Sequence, residues 1–330
     1  MRVLFIGGTG NISTSCSWQA VAAGIDLYHL NRGSTKAALP EGVTTIEADV
    51  NDRAAAAAAI DGMSFDVVVD WIAFTPEQIE RDIALFAGKT GQFIFISSAS
   101  VYHKPVRHPV ITESTPAFNP YWTYSQNKIA CEQKLISAYQ SNGFPMTIVR
   151  PSHTYSDGWF PTTFGSRDFT VPQRMLDGKP IVVHGDGQSL WTLTHADDFA
   201  VAFTGLLGHP ASIGETFHIT SEEAIAWDEI HRTIGMAIGA EPEIVHVPSE
   251  VIARFSPKVG PGLLGDKRFS VIFDNSKVKR LVPGYQATIS FAEGMRRSAA
   301  VAAQRPQKKI DQETDALIDR LVEAIGGIGG

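Results

Sequence analysis

An apolar run followed at once by a glycine-rich stretch opens the chain, and it constrains the fold more than any other feature. Val3-Leu4-Phe5-Ile6 predicts a short buried strand, and Gly7-Gly8-Thr9-Gly10 follows directly. Glycines there permit a tight turn and let backbone N–H groups approach a pyrophosphate, and the next helix adds the positive end of its dipole. We expect that helix over 12–23 and a second strand over 26–30. The order strand, loop, helix predicts a dinucleotide-binding unit.

Two positions modify this pattern. Ser13 stands where the usual fingerprint has its third glycine, and it is small enough for close packing of helix and strand. The second strand ends in Asn31-Arg32-Gly33-Ser34, with no acid at 30–34 to accept the ribose hydroxyls of NAD. A 2′-phosphate is instead bound by an arginine. Arg32 therefore favours NADP, with NAD as the alternative.

Further apolar runs alternate with helical segments along the first half of the chain. A helix is expected over 54–59, and another is expected to begin at Pro76. Short buried strands alternating with helices are typical of a doubly wound parallel sheet. The remaining strands of this sheet are predicted over 44–48, 66–73, 93–96 and 146–149.

Tyr124 and Lys128 stand four residues apart in a predicted amphipathic helix over 122–141, which ends at Asn142-Gly143. That spacing places both side chains on one face, one turn apart. A free phenol has a pKa of ~10, and a nearby ammonium favours its phenolate form. The pair is therefore a candidate acid/base centre. Ser98 leaves the predicted strand 93–96 at the carboxyl edge of the sheet, where a second hydroxyl could meet the same substrate oxygen.

Composition narrows the class of protein. Of 330 residues, 44% are hydrophobic and 19% charged, as in ordinary soluble globular proteins. A formal net charge of −7 disfavours a nucleic-acid surface. The first apolar run is too short for a signal peptide or a membrane span, and two cysteines, Cys16 and Cys131, form no disulfide framework. The ten histidines show no metal-ligand spacing, so no metal is expected. We expect a cytoplasmic protein.

Glycine and proline punctuate residues 157–190, where the alternation weakens. This favours a crossing between domains. We predict an NAD(P)-binding domain over 1–156 and a substrate-binding domain over 157–330. The segment of about 194–220, a helix followed by a strand, is expected to return to the first domain.

Several motifs in this order resemble an extended short-chain dehydrogenase/reductase of the NAD-dependent epimerase/dehydratase family, over about residues 1–300. The matching motifs are Gly7-Gly8-Thr9-Gly10, Asp49, Ser97-Ser98-Ala99-Ser100-Val101-Tyr102, Tyr124-x-x-x-Lys128, Arg150-Pro151-Ser152, Gly185-Asp186-Gly187, His195-Ala196-Asp197-Asp198, Asp274-Asn275-Ser276-Lys277 and Phe291-Ala292-Glu293-Gly294.

The resemblance implies an α/β fold, with a doubly wound parallel (Rossmann) sheet and a smaller C-terminal α/β substrate domain. It also implies homodimers packed through helices around 76–88 and 122–141. Tyr124 would be the general acid/base, Lys128 would hold the nicotinamide ribose and lower the Tyr124 pKa, and Ser98 would bind the reacting oxygen.

Carried over position by position, the resemblance implies two sets of binding residues. The cofactor set is Gly7, Thr9, Gly10, Asn11, Ile12, Asn31, Arg32, Asp49, Val50, Trp71, Ala73, Tyr124, Lys128, Pro151 and His153. The substrate set is Ser98, Ser100, Tyr124, His153, Trp191 and Arg268.

Three departures from the family pattern limit which reactions and substrates are expected. Ala99-Ser100 replaces the Asp-Glu pair that sugar-nucleotide dehydratases place after the catalytic hydroxyl residue, so dehydration is not expected. Trp191 and His153 replace an arginine and an asparagine that commonly hold a substrate diphosphate. Two interpretations stay open. The substrate lacks a nucleotide diphosphate, or other cations bind it, namely Arg167, Lys267 or Arg268.

We therefore expect an NAD(P)-dependent oxidoreductase or epimerase acting on a hydroxyl or keto group of a sugar or nucleotide sugar. The first alternative is a simple NADP-dependent carbonyl reductase with a non-nucleotide substrate. The alternative of another class is an RNA-binding protein on the same fold, which the acidic balance and the complete Ser98, Tyr124 and Lys128 set disfavour. Salt-dependent retention of RNA would distinguish it.

Overall fold

Strands and helices alternate through the first hundred residues of the computed structural model, which describes residues 1–35 and 37–326. These elements are β1 Arg2–Ile6, α1 Asn11–Ala22, β2 Asp26–Asn31, β3 Thr44–Glu47, α2 Arg53–Ala59, β4 Phe65–Asp70, α3 Pro76–Phe86 and β5 Thr90–Ile96.

The middle of the chain supplies two more strands of the main sheet and several short elements. In order they are β6 Val110–Ile111, α4 Thr123–Asn142, β7 Met146–Pro151, β8 His153–Tyr155, α5 Thr170–Leu176, β9 Ile181–His184, β10 Leu190–Trp191, β11 Leu193–His195, α6 Ala196–Leu206 and β12 Thr216–Ile219.

The last third is mainly helical. It contains β13 Ile225–Ala226, α7 Trp227–Ile238, β14 Ile244–Val247, α8 Ser249–Phe255, α9 Gly260–Gly262, a π turn Leu263–Lys267, β15 Ile272–Phe273, α10 Ser276–Leu281, α11 Phe291–Gln304 and α12 Gln312–Gly326.

The main sheet has seven strands in the order β12-β7-β5-β4-β1-β2-β3, and every neighbouring pair is parallel. The strand order reverses at β1, so the connecting helices cover both faces. One face packs on α1 and α6, and the other packs on α2, α3 and α4. Both faces are buried, which explains why the strands are nearly continuous apolar runs. The predicted fold class is confirmed.

Strand β4 ends at Asp70, three residues before the predicted end at 73. The Asp70 carboxylate accepts hydrogen bonds from the backbone N–H groups of Ile72 (2.6 Å) and Ala73 (2.7 Å). These bonds fold the chain into a turn at the point where the apolar sequence alone would continue the strand. The turn lies at the carboxyl edge of the sheet.

A separate hydrophobic core unites the C-terminal elements with the loop that follows β5. It includes Trp191 and Trp227, and short two-stranded sheets surround it. Strand β12, by contrast, is the edge strand of the main sheet, although it follows 60 residues after the loop at residue 156. The chain therefore leaves the main sheet and comes back to it.

The His195-Ala196-Asp197-Asp198 motif connects these two parts of the molecule. The His195 ring accepts a hydrogen bond from the Asp197 backbone N–H (3.2 Å) and so caps α6. The Asp198 carboxylate accepts hydrogen bonds from the backbone N–H groups of Thr288 (3.0 Å) and Ile289 (2.9 Å). Helix α6 of the main sheet is thereby bonded to the segment that leads into α11.

Candidate functional site

A cleft of about 420 Å³ lies over the glycine-rich loop, within the size range of ligand sites. Gly7 has φ +84°, and a Cβ on Gly8 would lie 2.4 Å from the buried His29 ring, so both positions require glycine. The Ser13 hydroxyl accepts the Gly10 N–H (2.8 Å) and donates to the Gly7 carbonyl (3.1 Å). Ser13 thus fixes the loop as well as packing closely. This cradle fits the pyrophosphate of a dinucleotide.

The structure brings about half of the predicted cofactor residues to this cleft. Those that line it are Gly7, Thr9, Gly10, Asn31, Arg32, Asp49 and Val50. Ile72 and Phe74 complete the wall, in place of the predicted Trp71 and Ala73.

Other predicted cofactor residues have different partners. The Asn11 amide donates to the Thr154 carbonyl (2.9 Å) and ties the loop to β8. Ile12 and Trp71 face the α1/α6 core, where Trp71 packs 5.0 Å from Phe203 between ring centroids. The turn at Asp70 sends Trp71 to that side.

An acid lies next to Arg32 after all, although it does not come from β2. Glu47 ends β3 and pairs in register with Asn31. Its carboxyl group packs against Gly33, where a Cβ would lie 3.1 Å from it. Arg32 lines the cleft, and the Glu47 carboxylate lies beside the next residue, Gly33; the two charges have opposite preferences for a 2′-phosphate.

A second pocket, of about 250 Å³, lies at the carboxyl ends of β5 and β7. The predicted residues Ser98, Ser100, Tyr124, Pro151, His153 and Trp191 all line it. Asp266 and Lys267 of the π turn also line it, and sequence reasoning did not assign them a catalytic role. The reacting group of a substrate here would meet the Ser98 and Tyr124 hydroxyls together.

The hydroxyl of Ser98 belongs to a chain of three serines. Ser125 donates to the Ser100 oxygen (2.8 Å), and Ser100 lies 2.9 Å from the Ser98 oxygen. The Ser100 backbone N–H also donates to Ser98 (3.2 Å). Since Ser100 accepts a hydrogen bond from Ser125, its own hydrogen is free to point to Ser98, and in that arrangement the Ser98 hydrogen can donate into the pocket. Nothing in the sequence distinguished Ser125.

Lys128 is buried behind Tyr124. Its ammonium donates to the carbonyls of Ala73 (2.7 Å) and Ile96 (2.8 Å). It lies 5.9 Å from the centroid of the Tyr124 ring. Burial lowers the pKa of Lys128 to about 8, against the opposing charge of Asp70.

The pKa of Tyr124 is shifted in the direction opposite to the predicted one. Burial raises the pKa of the Tyr124 phenol, the hydrogen bond with Ser98 opposes this, and the charge of Asp266 raises the pKa further. The predicted lowering by Lys128 is not found, and the Lys128 ammonium donates to two backbone carbonyls. Tyr124 is therefore a neutral phenol at neutral pH.

Of the remaining predicted substrate residues, Trp191 and His153 line the pocket and Arg268 does not. Trp191 is 4% exposed and packs 5.5 Å from Trp227, and its indole N–H meets no acceptor in residues 1–35 and 37–326. His153 is bonded to the Ser166 hydroxyl (3.0 Å), and burial lowers its pKa to about 3, so it is neutral. Arg268 does not reach the pocket, because its guanidinium pairs with Glu250 (2.6 Å).

The described residues contain neither a metal-binding cluster nor a membrane-spanning helix. No three or more His, Cys, Asp or Glu side chains within 1–35 and 37–326 are grouped to hold a metal ion. Over the same residues, no helix combines the length and apolar character that crossing a membrane requires.

Comparisons with known proteins place the chain among nucleotide-dependent enzymes of one family. A family model described as the NAD dependent epimerase/dehydratase family matches residues 3–220. The 2′-dehydrokanamycin reductase of Streptomyces kanamyceticus is 27% identical over 286 residues, covering 87% of this chain and 80% of that protein. The UDP-glucose 4-epimerase of Mycolicibacterium smegmatis is 27% identical over 199 residues, or 60% of this chain and 58% of that protein.

Solved structures share the fold. A Thermus thermophilus UDP-glucose 4-epimerase in complex with NAD superposes with a TM-score of 0.71 at 21% identity, covering 91% of this chain and 98% of that one. A Bacillus anthracis dTDP-glucose 4,6-dehydratase in complex with NAD gives 0.74 at 17% identity, covering 92% and 97%. At these identities the likeness extends to the fold alone.

Proposed function

The chain belongs to the NAD-dependent epimerase/dehydratase family and is an enzyme of the extended short-chain dehydrogenase/reductase superfamily, and from this premise we propose that it oxidises, reduces or epimerises a sugar. The reaction would take place at a hydroxyl or keto carbon. One observation carries the proposal: Ser98 and Tyr124 line the same small pocket, with Lys128 buried directly behind Tyr124. Two hydroxyls converging on one point suit the oxygen of a carbonyl or alcohol.

The bound cofactor would supply hydride transfer, and the chain's own residues would handle the proton. In the proposed arrangement Ser98 donates its hydrogen to the substrate oxygen, while its own oxygen accepts from the backbone N–H and the hydroxyl of Ser100. Tyr124 gives its proton to the same oxygen in reduction and takes it back in oxidation. Burial raises the pKa of Tyr124, so the phenol carries its proton at neutral pH.

The family to which the chain belongs is NAD dependent. We propose that this protein prefers NADP to NAD. Gly7, Thr9 and Gly10 would hold the pyrophosphate, and Asp49 would meet the adenine. Arg32 at the rim supports NADP over NAD, and Glu47 beside it weakens that preference without removing it.

We also propose that a nucleotide diphosphate is not the main anchor of the substrate. A diphosphate requires charge-assisted donors to offset its desolvation. Here His153 is neutral, Trp191 offers one neutral N–H, and Arg268 is paired with Glu250. Lys267 is a cation that lines the pocket, but its ammonium already donates to the carbonyls of Thr162 and Thr163. The pocket volume of about 250 Å³ lies below the ~300–1,000 Å³ of typical ligand sites and suits a single ring. Dehydration is disfavoured because Ala99 and Ser100 supply no acid or base.

A thermal-shift and turnover screen with saturating NADP+ or NADPH tests these proposals together. Free sugars, sugar phosphates and nucleotide sugars would be compared as ligands and, in their keto forms, as substrates. We expect stabilisation and cofactor turnover with free sugars, without loss of water from the product. Stabilisation by nucleotide sugars alone would show that a diphosphate is the anchor. No turnover with any sugar would contradict the sugar class.

Two further proposals concern the whole protein. Helices α3 and α4 lie side by side on one face, which supports a homodimer through that face.

Cys16 and Cys131 are both buried, unpaired thiols, which supports a cytoplasmic location. Light scattering and cell fractionation would test these two proposals.

A further inference from the structure

The pocket contains a carboxylate that the proposed reaction does not use. Asp266 belongs to the π turn Leu263–Lys267 and is the only acidic side chain among the described residues that line the pocket. It is close enough to the reacting hydroxyl for its charge to raise the pKa of Tyr124. π-Helical turns within helices frequently mark functional sites.

A buried cation stands behind this carboxylate. Lys104 has no exposed surface, and its ammonium lies 3.5 Å from an Asp266 oxygen and 5.7 Å from the Phe269 ring centroid. It makes no well-formed hydrogen bond within residues 1–35 and 37–326. Burying an ammonium is unfavourable unless a counter-ion accompanies it, so Asp266 and Lys104 form one unit. Burial raises the pKa of the Asp266 carboxyl, and the neighbouring Lys104 ammonium opposes this shift.

The backbone on either side of Asp266 is held in place. The Asn119 amide donates to the carbonyls of Ser100 and Gly265, both at 2.8 Å, and so joins the serine loop to the π turn. A Cβ on Gly265 would lie 3.0 Å from Trp122, which shows how closely the turn approaches the start of α4. The position of Asp266 relative to Ser98 and Tyr124 is thereby fixed.

Lys267 holds the other side of the turn. Its ammonium donates to the carbonyls of Thr162 (2.8 Å) and Thr163 (3.0 Å). Its own carbonyl accepts the Trp227 indole N–H (3.2 Å). Lys267 therefore has its charge satisfied largely by backbone oxygens, whereas Asp266 keeps a side chain that is 19% exposed.

We propose that Asp266 is the substrate-anchoring carboxylate of this pocket, where it accepts a hydrogen bond from a hydroxyl or ammonium group on the sugar ring that reacts at Ser98 and Tyr124. This inference rests on the proposed function and specifies its substrate: a ring that presents a donor at that position. A carboxylate or phosphate there would face a like charge. Trp191, with its unpartnered indole N–H, offers a donor elsewhere in the same pocket.

The test is calorimetric titration of the NADP+-saturated enzyme with five probes: methyl α-glucoside, its 2-amino analogue, methyl glucuronide, glucose 1-phosphate and UDP-glucose. We expect the glucoside or its amino analogue to bind the wild type, and the anionic probes to bind more weakly. Asp266→Asn should weaken the better ligand by about tenfold or more, as expected for a hydrogen bond to a charged group. A larger loss for the amino analogue than for the glucoside would identify an ammonium as the partner.

Glu250→Gln is the matched control, because it also removes a carboxylate from the C-terminal part but Glu250 pairs with Arg268 outside the pocket. It should leave sugar affinity unchanged. Since Asp266→Asn leaves Lys104 without a counter-ion, the double variant Asp266→Asn/Lys104→Met provides a second form without the buried charge. This double variant should lose as much affinity for the sugar as Asp266→Asn does.

The outcomes separate the two proposals. If a sugar binds the wild type and both Asp266 variants equally well, the anchoring role is wrong and the proposed function stands. Equal or tighter binding of the glucuronide or the phosphate would also overturn it. If NADP+ binds and none of the five probes does, the sugar class fails, and this inference fails with it.

Discussion

Tyr124 is the residue that we propose as the general acid/base, and this role can be tested by removing one oxygen. Tyr124→Phe keeps the ring that packs 4.8 Å from Trp122. We expect turnover to fall by at least ~100-fold, the contribution of a general acid/base, with cofactor affinity nearly unchanged. Stopped-flow single turnovers and fluorescence titration measure the two quantities. Tyr121→Phe, an exposed neighbour outside the pocket, serves as control, and full activity in Tyr124→Phe would end the assignment.

Lys128→Met should affect both binding and stability. The change removes an ammonium that satisfies the buried carbonyls of Ala73 and Ile96. Leaving such groups unpaired costs about 1–3 kcal/mol, so the melting temperature should fall along with cofactor affinity. Differential scanning calorimetry beside the same titration checks this. An unchanged melting temperature would show that water replaces the ammonium.

The pH dependence of the reaction follows from the raised pKa of Tyr124. Oxidation requires the phenolate as base, so its kcat/KM should still be rising with pH above neutrality, while the reductive rate should fall only as the phenol ionises. Asp266→Asn removes a negative neighbour that disfavours the phenolate. The midpoint of the oxidative profile should therefore move to lower pH. A midpoint that moves upward or stays fixed would contradict the sign of this interaction.

At the level of secondary structure, we expect the ends of β2 and β3 to decide between NADP and NAD. A 2′-phosphate paired with Arg32 would gain about 1.5–3 kcal/mol, or roughly ten- to a hundredfold, over NAD. Arg32→Ala should abolish the preference, and Glu47→Gln should increase it by removing the carboxylate beside Gly33. Calorimetric titration of each variant with both cofactors decides this. Equal affinities of the wild type, or tighter binding of NAD, would contradict it.

The sequence predicted the elements of the main sheet well, because apolar runs separated by glycine and proline have few alternatives in an α/β fold. Its errors have local causes. Asp70 turns the chain early and carries Trp71 into the core, which no periodicity reveals. Arg268 was expected in the pocket, yet the π turn places Asp266 there instead. Which of three consecutive charged residues faces a pocket depends on the turn that carries them.

At the scale of the whole molecule, the proposed dimer gives a simple measurement. Helices α3 and α4 would pack against the same helices of a second copy, and Tyr139 on α4 is 39% exposed there. We expect light scattering at micromolar concentration to give twice the mass of one chain. Tyr139→Asp should shift the mass toward one chain while the isolated chain stays folded by circular dichroism. A single-chain mass for the wild type would contradict the proposal.

The return of the chain to the main sheet limits how this protein can be dissected. A fragment that ends at residue 156 would lack β12, leaving β7 as a bare edge strand, and would lack α6, leaving much of one sheet face open to water. Such edges and patches promote aggregation. A truncation meant to isolate the nucleotide-binding half must therefore keep residues 196–219, joined by a linker. Exchange of substrate-binding regions between relatives faces the same requirement, since the exchanged part is an insertion with two junctions.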